Sequence, residues 1–401
     1  LSQLHPYSVS IAELLSQAAT IADYCAANAA TIDQHGAFPV REFQLIAEAG
    51  LLVAPLRPEL GGVGLGIDAQ ITYELLLLLK QIGRGNLAVG RIYEGHVNAL
   101  QLVQTFGTDA QIEIYARDAR EHHKIFGVWN AEAADGVKFE PIGGADAERY
   151  RLHGAKTFCS GAGYVERPFV NGVLPDGRWQ MSIVPMDEAA TVSDPDWWQP
   201  AGMRATASYK IDFSGVELDA TAMIGQPNDY NRQPWLSAGV IRFAAVQLGA
   251  AEALFDLTRQ YLQALNYTDH SSQQERVAQM AIALETGNLW LRGAADRVAA
   301  FAPEFGGDPK QPSPEAERLI AYANMMRTAI ERICMDMMQW CERSIGTRGL
   351  LPPYSMERVI RDLTLYLRQP AYDAAITSIG QYVLSESTPA KALWSDASFR
   401  P

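Results

Sequence analysis

Cysteine is scarce in this chain of 401 residues: Cys25, Cys159, Cys334 and Cys341 stand far apart, with no CxxC pair and no histidine at ligand spacing. That pattern argues against a disulfide framework and a structural zinc site, and no metal is expected. Positive charge is also short. Lys and Arg number 33 against 46 Asp and Glu, for a net charge of −13. Such an excess repels phosphate backbones and anionic lipid, so no nucleic-acid partner is expected. Long apolar runs are missing too: the longest aliphatic stretch is Leu75 to Leu79, far below the roughly 20 residues that a membrane-spanning helix needs. The opening LSQLHPYSVS carries neither the basic nor the apolar block of a signal peptide, and a cytoplasmic location is expected. Neither a G-x-S-x-G nor a P-loop occurs, which argues against hydrolase and phosphotransferase chemistry. The glycine cluster GGVGLG lacks the dinucleotide spacing and follows no strand, so it reads as a turn.

What is present is ordinary globular material, 48% hydrophobic and 20% charged, in a chain long enough for two or three packed units. Residues 1–123 read as helices. Ile11, Leu14, Leu15, Ala18, Ile21, Ala22 and Cys25 give one apolar helical face. A shorter helix is expected over Pro39 to Ala49, and two more around the five leucines and Leu87 to Phe106. In residues 124–232 the rhythm changes to short segments rich in β-branched and aromatic residues, such as KIFGVWN, AKTFCSG and WQMSIVPM, which predict an antiparallel sheet or small barrel. Residues 233–401 return to helix: Trp235 to Ala264, Gln273 to Phe301, Pro314 to Ser344 and Met356 to about Leu384. Four long helices imply a bundle. The fold class is α+β and mostly α, with segregated layers that exclude a doubly wound parallel fold.

Few side chains stand out chemically. Glu94 and His96 lie two apart and point to different sides of a helix; a lone buried histidine is usually a hydrogen-bonded core residue. The charges Glu357, Arg358, Arg361 and Asp362 read as a solvated helix face or an inter-subunit ion pair. GAKTFCSGAG places Ser160 at a strand end beside Phe158, and GVWNAEAADG places Trp129 and Asn130 at another. Two aromatic strand ends with small polar neighbours suit a planar heteroaromatic cofactor.

Taken together these segments resemble the acyl-CoA dehydrogenase superfamily of flavoproteins. The likeness rests on Gly50–Leu51, Pro58–Glu59 and Gly61–Gly62–Val63–Gly64; on Gly154 to Ala162; on Gly202, Met203, Arg204, Thr206 and Ser208 with Asp212 to Val216; and on Gly346 to Leu350 with Glu357 to Asp362. It implies an N-terminal helical domain, a middle β domain and a C-terminal four-helix bundle, with FAD, or alternatively FMN, between the last two. Phe126, Val128, Trp129 and Asn130 would line the flavin pyrimidine edge, Ser160 would hydrogen-bond its N5 and Phe158 would cover a ring face. Arg343 and Thr347 would contact the cofactor, and Tyr93, His96 and Arg242 would line the substrate pocket. A homodimer or homotetramer is implied as well.

The chain also departs from that family. The usual catalytic glutamate position falls on Pro370 and the alternative one near Gly239, and neither can take a proton. Asp373 and Glu94 are the substitute candidates for the base. The Arg-x-x-Phe-Gly motif that grips the FAD pyrophosphate is replaced by QALNYTDHSSQQER, leaving Arg343, Arg348 or Arg276 to hold that end. Three functions follow, in order: an FAD-dependent oxidoreductase that removes an α proton from an acyl thioester (CoA- or carrier-linked) and sends the β hydride to flavin N5, with a separate electron acceptor; a two-component flavin-dependent monooxygenase fed by a flavin reductase; and a non-catalytic scaffold.

Overall fold

The first helix shows how the apolar spacing is used. In the computed structural model, which describes residues 9–143, 149–234, 239–301, 312–368 and 371–394, α1 (Ile11–Asn28) buries Leu14, Ala18, Ile21, Ala22 and Cys25. Ser10 caps it by accepting a hydrogen bond from the Glu13 N–H at 3.2 Å, satisfying one of the helix-end donors. Four more helices follow: α2 (Val40–Glu48), α3 (Thr72–Gly85), α4 (Leu87–Phe106) and α5 (Asp109–Glu121). Thr108 and Gln111 form a reciprocal capping box at the start of α5, the arrangement that fixes a helix start most firmly.

Among the described residues ten strands come next: β1 (Phe126–Trp129), β2 (Lys138–Ile142), β3 (Arg149–His153), β4 (Ala155–Cys159), β5 (Arg167–Val173), β6 (Trp179–Ile183), β7 (Val192–Asp194), β8 (Tyr209–Asp212), β9 (Glu217–Asp219) and β10 (Met223–Ile224). They form a seven-stranded sheet in the order β10-β6-β5-β2-β3-β9, with β1 also on β5, and a three-stranded sheet β4-β8-β7. Most pairings are antiparallel as expected, but β1 and β2 each run parallel to β5. No hairpin joins either strand to β5: β3 and β4 intervene in the chain, so the pairing need not be antiparallel. Leu100, Val103, Phe126, Phe169 and Ile183 share one buried core between α4 and this sheet.

The remaining helices are α6 (Val240–Ala264), α7 (Ser271–Ala300), α8 (Pro314–Gly349), α9 (Met356–Tyr366), α10 (Tyr372–Ser385) and α11 (Ala390–Leu393). The expected start of α6 at Trp235 and the proline-rich loop after Phe301 lie outside the described residues, as does Pro370. The single block expected from Met356 to Leu384 is two helices. Ala371, in the left-handed region at φ 62°, precedes the first turn of α10. Within α8 the backbone breaks at Gly346, φ 58° and ψ −170°, a conformation that glycine adopts at least cost. Among the described residues no helix is long and apolar enough to cross a membrane.

The chain divides into two compact units. One holds the residues up to Asp68 with Ala88–Pro200 and Arg204–Arg232; the other holds Ala69–Leu87, Ala201–Met203 and the chain from Gln233 onward. In the second, α3 packs on α6 through glycines: a methyl group on Gly83 would overlap the Val246 carbonyl, and one on Gly249 would overlap the Lys80 carbonyl. Lys80 is 7% exposed and is held by Glu252 and by Asn288 Oδ1 at 2.8 Å. The charged stretch on α9 is not a solvated face. Asp362, 5% exposed, accepts the Met203 N–H at 2.6 Å, and Arg361 donates to the Ala201 carbonyl at 2.6 Å. Gly202 leaves no room for a side chain against the Arg361 backbone. The two family motifs are thus the two halves of one clasp, with Arg358 ion-paired to Asp362 beside it.

Candidate active site

Strand β1 and helix α4 build a cleft in the first unit. His96 on α4 is fully buried; its Nδ1 accepts the Phe126 N–H at 3.1 Å, so its Nε2 carries the proton and donates to the Leu52 carbonyl at 2.8 Å. Burial pushes the imidazole down to about 4, because the charged form would lose its hydration. Tyr93, also buried, donates its hydroxyl to the Leu51 carbonyl at 2.9 Å, and burial raises its pKa. Both side chains are struts that tie α4 to the chain after α2, and His96 also holds the start of β1.

In front of these struts lies a small open cleft between Arg91, Ile92 and Gly95 of α4, Gly127 and Trp129 of β1, and Ser160. Glu94 is 5% exposed, and Arg91 Nη1 donates to its carboxylate at 2.9 Å. Phe126 is buried behind the cleft, while Val128 is half-buried on its wall. The Trp129 indole donates to the Ser160 carbonyl at 3.0 Å, which fixes the turn after β4 against the end of β1.

Asn130 is exposed at the end of β1. Its side-chain oxygen accepts from Asn171 Nδ2 at 2.7 Å, and its carbonyl accepts from Lys156 Nζ at 3.3 Å. Lys156 is completely buried, with Glu132 Oε2 at 2.6 Å, and desolvation lowers its pKa. The residues after β1 are therefore anchored from below by an ion pair.

Phe158 is the strained residue of the site. Its backbone is left-handed at φ 53°, next to a register shift between Lys156 and Cys159 on the β4–β8 ladder, and the residue is 53% exposed. Left-handed backbone costs a non-glycine residue roughly 1–2 kcal/mol, and solvent exposure of a phenyl ring gains nothing. Trp197 meets the ring edge-on at 4.7 Å, and Trp198 lies at 6.0 Å. The Trp198 indole N–H is buried without a hydrogen-bond partner. Two residues on, Ser160 Oγ lies 2.9 Å from Ser208 Oγ, which lies 2.7 Å from Thr206 Oγ1. Strain plus an unsatisfied buried donor beside an open cleft is the pattern of a site shaped for a ligand.

The other expected site residues belong to the second unit. Arg242 on α6 is 7% exposed. Arg343 and Thr347 are exposed on α8, one turn apart across the Gly346 break, and Asp373 is exposed in the first turn of α10. Sequence reasoning missed Arg91, Trp197 and Trp198 as neighbours of this site. It noted Thr206 and Ser208 only as motif letters; alternation from Tyr209 onward could not reveal hydroxyls that meet through a turn.

Two family models match the chain: the acyl-CoA dehydrogenase N-terminal domain over residues 13–120 and the acyl-CoA dehydrogenase C-terminal domain over residues 241–367. The chain belongs to the acyl-CoA dehydrogenase family. Membership makes it a flavin-dependent oxidoreductase and agrees with the fold expected from sequence. Among curated proteins it is similar to a dibenzothiophene monooxygenase of Rhodococcus qingshengii, 24% identical over 394 residues and 92% of both chains. It is also similar to the probable acyl-CoA dehydrogenase YngJ of Bacillus subtilis (strain 168), 26% identical over 360 residues, covering 85% of this chain and 88% of the other. Among solved structures, FMN-bound TdsC from Paenibacillus sp. A11-2 superposes with a TM-score of 0.82 at 20% identity, over 95% of this chain and 100% of that one.

Proposed function

We propose that this protein is a flavin-dependent monooxygenase that takes reduced flavin from a separate reductase and oxygenates a small apolar organic substrate. One observation carries the reading: the side chains offered to the cleft by the β sheets are hydroxyl and aromatic groups, while the nearby carboxylate, Glu94, is tied to Arg91 at 2.9 Å. Proton abstraction from an acyl thioester needs a carboxylate oriented toward the substrate, whereas the Glu94 carboxylate is engaged by the Arg91 guanidinium. The full-length similarity to a dibenzothiophene monooxygenase supports the same reading.

The residues fit a flavin. Phe158 offers a ring face, Ser160 a hydroxyl, and Trp198 a buried N–H that lacks an acceptor. FMN is the form we favour, because the pyrophosphate-gripping motif is missing and the similar TdsC is FMN-bound. A bound reduced flavin supplies the activation of dioxygen. The chain's own residues supply the rest: Trp129 and the Ser160 turn orient the ring plane, Ile92 and Val128 exclude water, and Ser160 holds a proton at the face of the site.

A second reading, acyl-thioester dehydrogenation, draws on the buried position of Glu94 and on the similarity to YngJ. One experiment separates the two. Purified protein is given FMN, NADH, a flavin reductase and ¹⁸O₂, with dibenzothiophene and indole as probes; one ¹⁸O atom per product molecule is expected. Bleaching of bound flavin by an acyl-CoA without oxygen would overturn the proposal in favour of the second reading. The homodimer or homotetramer stays part of the proposal, and light scattering measures it.

A further inference from the structure

Glycine weakens a helix relative to alanine, because its backbone has more freedom to lose, and close packing is the usual reason to keep one. Gly83 and Gly249 are of that kind: a methyl group on either would strike the backbone of the facing helix. Gly95 is not. It is buried in the middle of α4, where the helical backbone suits any residue with a side chain. A methyl group there would meet Arg91 Nη1 at 3.6 Å, Gly127 Cα at 3.8 Å and the Val128 nitrogen at 3.9 Å. Those are ordinary van der Waals separations, so neither conformation nor crowding requires the glycine.

What the glycine leaves free is the cleft itself. Arg91, Gly127 and Val128 line it together with Gly95, so the added methyl group would stand inside it. The space takes about one water-sized molecule; an aromatic ring does not enter it, but a diatomic gas does. Ile92, Val128 and Val165 give it apolar walls. Its polar side chains already have partners: Arg91 donates to Glu94 at 2.9 Å, Ser160 Oγ meets Ser208 Oγ at 2.9 Å, and the Trp129 indole donates to the Ser160 carbonyl at 3.0 Å. A resident water needs several polar partners, whereas an apolar gas needs none. Ser160 belongs both to this wall and to the residues read as facing the flavin, while Phe158 and Trp198 lie outside the lining. The cleft therefore opens beside the flavin position, not at it.

We propose that this cleft is the dioxygen site of the monooxygenase and that Gly95 is the residue that keeps it open. The inference rests on the flavin reading. In the overall reaction the reduced flavin gives up two electrons and two protons, one oxygen atom enters the substrate and the other leaves as water. Dioxygen must then be held next to the flavin, and a small apolar recess beside Ser160 does so without admitting the substrate.

Two measurements test this, one of them without flavin. Crystals of the flavin-free chain are pressurised with krypton, an apolar atom close to dioxygen in size. Anomalous density is expected in the cleft of the wild type and not in Gly95→Ala. With FMN bound and reduced, stopped-flow absorbance gives the second-order rate constant for reoxidation by dioxygen. Gly95→Ala is expected to lower it about tenfold, with an unchanged FMN dissociation constant and a higher unfolding midpoint in urea. A wild-type cleft that takes no krypton, or an FMN-loaded Gly95→Ala variant that reoxidises at the wild-type rate, overturns the inference and leaves the flavin reading intact. A fall in FMN affinity with the rate unchanged shows the methyl group displacing flavin, and overturns it as well. Failure of the wild-type chain to bind FMN overturns the flavin reading itself, and this inference with it.

Discussion

The two units of this protein bury polar groups for different ends. In the first, the buried polar side chains near the cleft are mostly neutral: His96, Tyr93, Ser208, Thr206 and Asn171. Each is matched to a backbone group or another side chain. In the second, buried ions take part at the helix junctions, Lys80 with Glu252 and Arg358 with Asp362. Neutral hydrogen bonds fix orientation at low desolvation cost, which suits a cleft that must present donors and acceptors in fixed directions. Buried ion pairs add little net stability but fail badly when one partner is lost, which suits helix junctions that must not slip. Chemistry-bearing residue types are therefore poor guides by themselves: the most charged motif in the sequence is a clasp, and the cleft is built from serine, threonine and aromatic rings.

The greatest asymmetry between the units should appear at the α3–α6 crossing. Gly249→Val forces a branched side chain onto the Lys80 carbonyl, and a loss of about 4 kcal/mol or more is expected. Urea denaturation monitored by tryptophan fluorescence measures it; a loss below 1 kcal/mol would mean the helices can separate at little cost.

His96 probes the first unit on a similar scale. Its folded pKa of about 4 lies below the ordinary value of 6.5, so the unfolded chain takes up the proton first as the pH falls. Its contribution is complete above pH 6.5 and is lost between about 6.5 and 4, amounting to about 3 kcal/mol. His96→Gln should flatten that part of the stability–pH profile. An unchanged slope would show that the imidazole is not the group responsible.

Ser160→Ala isolates chemistry from stability. Loss of one placed hydrogen-bonding group at a reacting centre costs about 100-fold in turnover, whereas the unfolding midpoint in urea should barely move. Equal losses in both would demote Ser160 to a structural residue.

Phe158→Gly carries the smallest and most telling effect. Glycine accepts φ 53° freely, so the variant should gain about 0.5–1 kcal/mol in stability while FMN affinity falls about tenfold. A loss of stability would remove the case that strain at this position serves binding.

How much of this was legible beforehand depended on range. The apolar face of α1 and the strands around Lys156 and Tyr209 were readable, because each is set by residues within a few positions of one another; the break at Gly346 inside α8 was not. The family motifs led to Phe158 and Ser160. They did not reveal that Phe158 is left-handed, since no aromatic residue signals that conformation. They did not reveal either that Asp362 answers the Met203 N–H across 159 residues of sequence. His96 was legible as a core histidine, yet its two backbone partners were not.

Periodicity and turn residues, then, were enough to specify helices, strands and their order, since these depend on local sterics and on which side chains avoid water. Assembly in three dimensions assigned α3 to the company of α6, turned a charged helix face into a clasp and lined up Ser160, Ser208 and Thr206. Those outcomes depend on contacts between residues far apart in sequence, whose energies arise only when the backbone brings the groups within bonding distance.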